Sequence, residues 1–295
     1  MTDAIRQILA SMDAADYVTD ASIATSIYLA STLKRPLLVE GHAGVGKTEI
    51  AKVLARVLST RLIRLQCYEG LDQQSALYEW NYPKQLLRIR LDEAAGRAGG
   101  DTETAIFSEG FLLKRPLLQA ITETDAAPVL LVDEIDRAEL EFEAFLLEVL
   151  SDFQVTIPEI GTIHATHPPF VVLTSNRTRE LSDALRRRCL YLWIDYPSFE
   201  KEETIVRRKV PGISERLAVQ IARVMAYLRT RTLSKVPGVA ESLDWGAALI
   251  ALERTELDSE TMRATIGCVL KDADDLRRFE EEEAGILTAV IESGP

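Results

Sequence analysis

The hydrophobic pattern changes character near residue 198. Before it, short apolar runs alternate with stretches of helical period; beyond it only helical patterning remains, up to an acidic run at 280–283. The apolar runs lie at 35–40, 61–67, 128–133, 169–174 and 190–194. The second alternates like a half-buried strand, whereas 128–133 and 169–174 are the continuous Val/Leu runs of strands buried on both faces of a parallel sheet. Helices are expected at 4–15, 49–58 and 138–150, and Thr19 or Asp20 is placed to cap another whose apolar side carries Ile23, Ile27, Leu29 and Leu33. Residues 107–121 read as a turn followed by a helix, and 96–100 as a loop. Residues 153–164 read as a hairpin turning at Pro158-Glu159-Ile160-Gly161. Repetition of strand, loop and helix predicts an α/β domain over 1–198, its parallel sheet flanked by helices, and a helical domain over 199–295. No internal repeat is found.

The first apolar run leads into Gly41-His42-Ala43-Gly44-Val45-Gly46-Lys47-Thr48, and a helical pattern opening at Glu49 follows. This is the GxxxxGK[ST] pattern in its required context, after a strand and before a helix. Glycines let backbone N–H groups turn toward phosphate oxygens, and the helix adds its positive end. Lys47 would bring its charge to the terminal phosphates, and Thr48 would offer a hydroxyl to Mg²⁺.

Three further features stand at strand ends. Asp133-Glu134 closes the 128–133 run; an acid there suits Mg²⁺, and a neighbouring carboxylate suits activation of water. Thr174-Ser175-Asn176 closes the next run and offers an amide to the γ-phosphate or the water, although an asparagine there also suits a plain turn. Arg186-Arg187-Arg188 precedes the last run. It reads either as an acid-paired cluster or as the source of an arginine finger for a neighbour's site, with Arg188 the candidate.

Composition narrows the classes. A hydrophobic fraction of 47% and a charged fraction of 27% suit a soluble globular protein. A net charge of -12 argues against a nucleic-acid partner for the chain as a whole. No secretion signal is read at the N-terminus, and no apolar run approaches the roughly 20 residues that span a bilayer. A cytoplasmic protein is expected, with peripheral membrane association left open. Cys67, Cys189 and Cys268 are widely spaced and read as core residues rather than a metal or disulfide framework. His164 and His167 are read as ordinary histidines at a hairpin end. Trp193 and Trp245 are read as packing anchors, and Trp80 as a residue that could touch a client.

Together these pieces resemble the AAA+ ATPases over about residues 20–255. Residues 41–48 look like Walker A and 129–134 like Walker B, Asn176 matches sensor 1, and Arg188 matches the arginine finger. Within that class the chain is similar to the MoxR branch, through an insertion at 71–90, the 153–164 hairpin, and Leu146-Leu147-Glu148-Val149-Leu150 followed by Val155-Thr156-Ile157. Tyr78-Glu79-Trp80-Asn81-Tyr82 and the stretch from Phe111 to Leu118 resemble the CoxD-type accessory ATPases of aerobic carbon monoxide dehydrogenase clusters. The resemblance implies ATP and Mg²⁺ as cofactors, with the loop 41–48 and Glu49 around the nucleotide. It implies Thr48 and Asp133 at the metal, and Glu134, Asn176 and Arg188 in catalysis. A hexameric ring, a von Willebrand A-domain partner and a client metalloenzyme are implied as well. Members of the branch often carry a sensor 2 arginine in the lid; here Asp244 stands at the expected place, with Arg223 and Arg231 nearby. Two rivals remain at this stage. One is a clamp-loader-like ATPase acting on nucleic acid, and the other a nucleotide switch without mechanical role; for the latter no Asn-Lys-x-Asp guanine signature occurs.

Overall fold

The computed structural model describes residues 1–96 and 104–280, so most of the loop expected at 96–100 and most of the acidic run at 280–283 lie outside the described residues. The chain forms two compact units. One comprises residues 22–40 and 48–192; the other comprises 1–21, 41–47 and the described residues from 193 onward.

The first unit is built on strands β1 (Leu37–Gly41), β2 (Leu62–Gln66), β5 (Val129–Asp133), β8 (Phe170–Ser175) and β9 (Leu190–Ile194), in the order β2-β5-β8-β1-β9. The pairs β2–β5, β5–β8 and β8–β1 are parallel, with Gln66 opposite Asp133, Val132 opposite Leu173 and Glu40 opposite Ser175. Every residue of β5 is buried, as a continuous apolar run requires of a central parallel strand. Strand β2 alternates because it lies at the sheet edge: Ile63 and Leu65 enter the core while Arg64 stays exposed.

Helix α2 (Ala21–Leu33) buries Ile23, Ala24, Ile27 and Ala30. Leu29 and Leu33, expected on the same side, are exposed, because they lie off the stripe that the i, i+4, i+7 spacing from Ile23 defines. Helix α3 (Lys47–Val57) follows the glycine loop and carries Ile50, Val53 and Leu54 into the interior.

Between β2 and β5 the chain forms an elaboration. Helix α4 (Gln73–Ala76) is capped by Asp72 through the Ser75 N–H at 2.8 Å, and α5 (Tyr82–Ala94) by Asn81 through the Lys84 N–H at 3.1 Å. Strands β3 (Tyr78–Trp80) and β4 (Leu112–Lys114) pair antiparallel, Trp80 opposite Leu112, and α6 (Pro116–Ile121) returns the chain to β5. Residues 112–114, expected within a turn and helix, are therefore a strand; their pairing with 78–80 overrides their local pattern. Trp80 does not face a client. It is buried and meets Phe107 edge-on at 5.3 Å, because β3 turns it into the core.

Helix α7 (Leu140–Asp152) buries Phe142, Leu146, Val149 and Leu150. The hairpin is present as β6 (Gln154–Ile157) and β7 (Gly161–His164), with Val155 and Ile157 inward and the Thr156 and Thr162 hydroxyls 3.0 Å apart on the exposed face. Gly161 holds φ +102°, a turn conformation that side chains rarely adopt. Helix α8 (Asp183–Arg188) precedes β9.

The second unit contains α1 (Asp3–Ala14), α9 (Phe199–Lys209), α10 (Glu215–Arg229), α11 (Val239–Ala251), α12 (Ser259–Thr265) and α13 (Ala273–Arg278). Serines or aspartates at 198, 214, 258 and 272 cap α9, α10, α12 and α13. Its core gathers Leu217, Ile221 and Met225 of α10 with Trp245 and Leu249 of α11 and Met262 of α12. Trp245 is fully buried, and its indole N–H donates to Thr265 Oγ1 at 2.8 Å. Among the described residues, no helix is long and apolar enough to cross a membrane.

Candidate functional site

The glycine loop, residues 41–47, belongs to the second unit. Gly44 and Gly46 hold φ of +75° and +92°, a backbone conformation that favours glycine; of the two glycines of the GxxxxG spacing, only Gly46 is in it. A Cβ on Gly41 would lie 2.2 Å from the Ile194 carbonyl oxygen, so that glycine is required by close packing. The Lys47 ammonium is buried and donates to the carbonyls of Gly41, at 2.9 Å, and His42, at 2.6 Å. His42 stacks on Tyr196 with centroids 4.5 Å apart and meets the edge of Trp193 at 5.5 Å. Ala43 is exposed and Val45 buried.

On the outer side of the loop, the Gly44 carbonyl accepts from Val239 N at 2.9 Å and Ala240 N at 3.2 Å, the first amides of α11. Glu241 turns back to accept from Gly238 N at 2.8 Å, the returning half of a capping box. Asp244 is exposed on α11, and Arg231 lies over the Tyr227 ring at 5.6 Å. Arg229 is an arginine this unit buries. It grips Glu202 with two N–H groups, donates to the Pro237 carbonyl at 3.0 Å and lies over Tyr196 at 4.8 Å. Ser242 donates its hydroxyl to the same Glu202 carboxylate.

The first unit holds the acids. Thr48 Oγ1 donates to Asp133 Oδ1 at 3.0 Å, and Thr174 Oγ1 donates to the same oxygen at 2.5 Å. The Thr174 hydroxyl also accepts from Glu134 N at 2.9 Å, which fixes a residue in the left-handed region at φ 55°. The second oxygen of Asp133 accepts the Arg64 guanidinium at 3.1 Å and 2.6 Å. Arg64 also donates to the Gln66 side-chain carbonyl, and the Gln66 amide donates to Glu134 Oε2 at 3.1 Å. Two side chains of β2, neither singled out by the sequence, thus hold both acids. The signal available was register: Gln66 lies directly opposite Asp133.

Asn176 sits at the end of β8, half-buried, its backbone N–H donating to Asp136 Oδ1 at 3.2 Å. Asp136 is buried and also accepts the Thr178 N–H and hydroxyl, each at 2.8 Å, so it sets the loop that carries Asn176. Glu49 pairs with Lys52 and Arg56 of its own helix. Arg188 donates to Ser151 Oγ at 2.8 Å and the Leu147 carbonyl at 3.3 Å, both on α7. Arg186 and Arg177 approach buried Glu40 at 3.8 Å and 3.7 Å, while Arg187 is exposed. Arg35, just before β1, donates to the carbonyls of Arg187, Arg188 and Cys189 at the end of α8.

Thr48 and Asp133 present hydroxyl and carboxylate oxygens side by side, the hard donors that suit Mg²⁺. Among the described residues no group of three or more His, Cys, Asp or Glu side chains could hold a metal. Mg²⁺ does not require such a cage, since it binds through one or two protein oxygens, phosphates and water. Burial pushes the Cys67 thiol up to about 12, helped by Asp133, Asp136 and Glu134, and pushes Cys189 up to about 12 as well.

A parallel sheet flanked by helices, a glycine loop leading into a helix, an acid pair at the end of β5, one strand removed from β1 across β8, and a helical C-terminal region define a AAA+ P-loop NTPase fold. The family model described as the AAA domain, dynein-related subfamily, matches residues 36–189, and the chain belongs to that family. A point mutant of the RuvB protein of Thermotoga maritima is similar in structure, with a TM-score of 0.50 and 16% identity, covering 98% of this chain and 83% of its own. Uncharacterised proteins of Staphylococcus epidermidis and Staphylococcus aureus are each 25% identical to it, over 88% of this chain and 90% of theirs.

Proposed function

We propose that the protein hydrolyses Mg-ATP and uses the energy to remodel a client protein. The observation that carries the reading is the oxygen pair of Thr48 and Asp133, with Glu134 next in the chain and the loop 41–48 leading directly into Thr48. In this reading residues 41–49 surround the nucleotide and Lys47 neutralises its terminal phosphates. Thr48 and Asp133 hold Mg²⁺, which polarises the phosphate oxygens when bound. Glu134 takes the proton of the attacking water, and Asn176 aligns that water. Arg188 reaches the site of the next subunit in a cytoplasmic ring, six subunits by analogy with the class. Residues 1–198 then act as the nucleotide-binding domain with two inserts, and 199–295 as the lid.

The finer assignment is to the MoxR branch, with a von Willebrand A-domain partner and maturation of the molybdenum–copper centre of carbon monoxide dehydrogenase as the role. Its support is the wording of residues 78–82 and 111–118 and the β6–β7 hairpin before β8. Deleting 153–164 should leave hydrolysis intact and abolish client maturation; normal maturation would refute the role of the hairpin.

The test of the core reading is ATP turnover per subunit against protein concentration, for the wild type, Glu134→Gln and Arg188→Ala. Specific activity should rise with concentration, each variant should be inactive, and mixing the two should restore part of the rate. Activity independent of concentration, with Arg188→Ala unimpaired, would leave a self-contained nucleotide switch as the better account.

A further inference from the structure

The Asp133 carboxylate is almost entirely buried, yet four donors from three residues converge on it. Thr48 and Thr174 supply neutral hydroxyls to one oxygen. Arg64 supplies a full positive charge to the other through two N–H groups, the geometry in which a guanidinium pairs most strongly with a carboxylate. A buried carboxylate needs such a counter-charge, and Arg64 supplies it from the edge strand. The Arg64 side chain is 51% exposed, so it can withdraw into water at small cost.

We infer that Arg64 stands in for the metal ion's charge in the metal-free site and is displaced, or its grip weakened, when the divalent cation arrives. The inference rests on the assignment of Thr48 and Asp133 to Mg²⁺. Both cations draw on one carboxylate, and they repel each other at a few ångströms. The pairing of Arg64 with Asp133 is therefore antagonistic to metal binding, and it raises the metal concentration at which the site fills. Displacement has a second effect. The guanidinium that leaves Asp133 is the one that holds the Gln66 carbonyl, and Gln66 holds Glu134. Metal occupancy at Asp133 thus loosens the tether on the neighbouring acid through two side chains of β2.

The experiment uses the full chain and Mn²⁺ as the probe, its free concentration read by electron paramagnetic resonance in the presence of excess ADP. The wild type, Arg64→Gln, Arg64→Lys and Asp133→Asn are compared. Arg64→Gln should bind Mn²⁺ about tenfold more tightly than the wild type, the scale expected of a removed like charge at a half-exposed site. Arg64→Lys keeps the charge without the fork and should fall between. Without metal, Arg64→Gln should melt at a lower temperature than the wild type, and saturating Mn²⁺ should raise its melting temperature more than that of the wild type. If Asp133→Asn loses Mn²⁺ while Arg64→Gln and Arg64→Lys bind it no more tightly than the wild type, the role given to Arg64 is wrong and the metal site stands. If Asp133→Asn binds Mn²⁺ as the wild type does, the metal assignment itself fails. Should Arg64→Gln not fold, Arg64→Lys alone decides between these outcomes.

Discussion

Replacing Thr174 by valine removes one oxygen and leaves the shape of the side chain nearly unchanged. That oxygen is 2.5 Å from Asp133 Oδ1 and 2.9 Å from the Glu134 backbone nitrogen, and the residue is buried. Two losses follow. The hydrogen bond to a carboxylate is of the charged kind, about 1.5–3 kcal/mol, and the stranded Glu134 N–H costs about 1–3 kcal/mol. Asp133 retains Thr48 and Arg64, so the low end of each range applies and the sum is about 2.5 kcal/mol. Serine keeps the oxygen and loses only a methyl group, about 1 kcal/mol. The assay is native-state amide exchange in peptides covering β5 and β8, which reads the opening free energy of these strands directly. The valine variant should lose about 1.5 kcal/mol more protection than the serine variant. It should also slow ATP turnover further, because Glu134 is held at φ 55° by the bond that valine deletes. Equal protection in the two variants would refute the reasoning, since it would mean that neither acid depends on the hydroxyl.

The other predictions address different parts of the molecule. Glu134→Gln should lower turnover by about 10²–10⁴-fold while leaving binding of a fluorescent ATP analogue within a few-fold of the wild type, as measured by titration. Arg229→Met should destabilise the helical unit by about 3–5 kcal/mol in denaturant unfolding, because it strands the fully buried Glu202; the double variant Arg229→Met, Glu202→Leu should recover most of the loss. For Cys67 and Cys189 the native thiols ionise near 12, whereas an unfolded thiol ionises near 9.0. Their contribution to stability is therefore complete below pH 9 and is lost as pH rises toward 12, by about 1.4 kcal/mol per unit for each thiol, measurable in urea melts of the wild type against Cys67→Ala and Cys189→Ala.

The parts of the fold legible in the sequence were those whose burial shows in the local pattern of apolar residues. Strands β5 and β8 are apolar up to Asp133 and Thr174 because they lie inside the sheet, and β6 alternates because one face is wet. What escaped depends on partners far along the chain. Strand β4 exists because it pairs with β3 more than thirty residues earlier, and the face of α2 is fixed by its alanines as much as by its larger residues. The site divides in the same way. Lys47, Thr48, Asp133 and Glu134 announce themselves because phosphate and metal chemistry ties residue types to fixed spacing. Arg64, Gln66 and Thr174 act by register across the sheet, and Asp136 acts from the turn after β5 on the loop after β8, pairings that no single stretch of sequence records. Arg229 is hidden for another reason: a buried arginine looks like any surface arginine until Glu202 is placed beside it.

Arg35 binds the end of α8 from two residues before the strand that leads to the glycine loop. The end of α8 that carries the arginines at 186–188 is therefore tied to the segment that enters β1. In the proposed ring this links the segment leading to each subunit's own glycine loop with the arginine proposed to serve its neighbour. Timing around such a ring would be set by the rigidity of three carbonyl contacts, and cutting them with Arg35→Ala would leave each subunit chemically intact but out of step with the next.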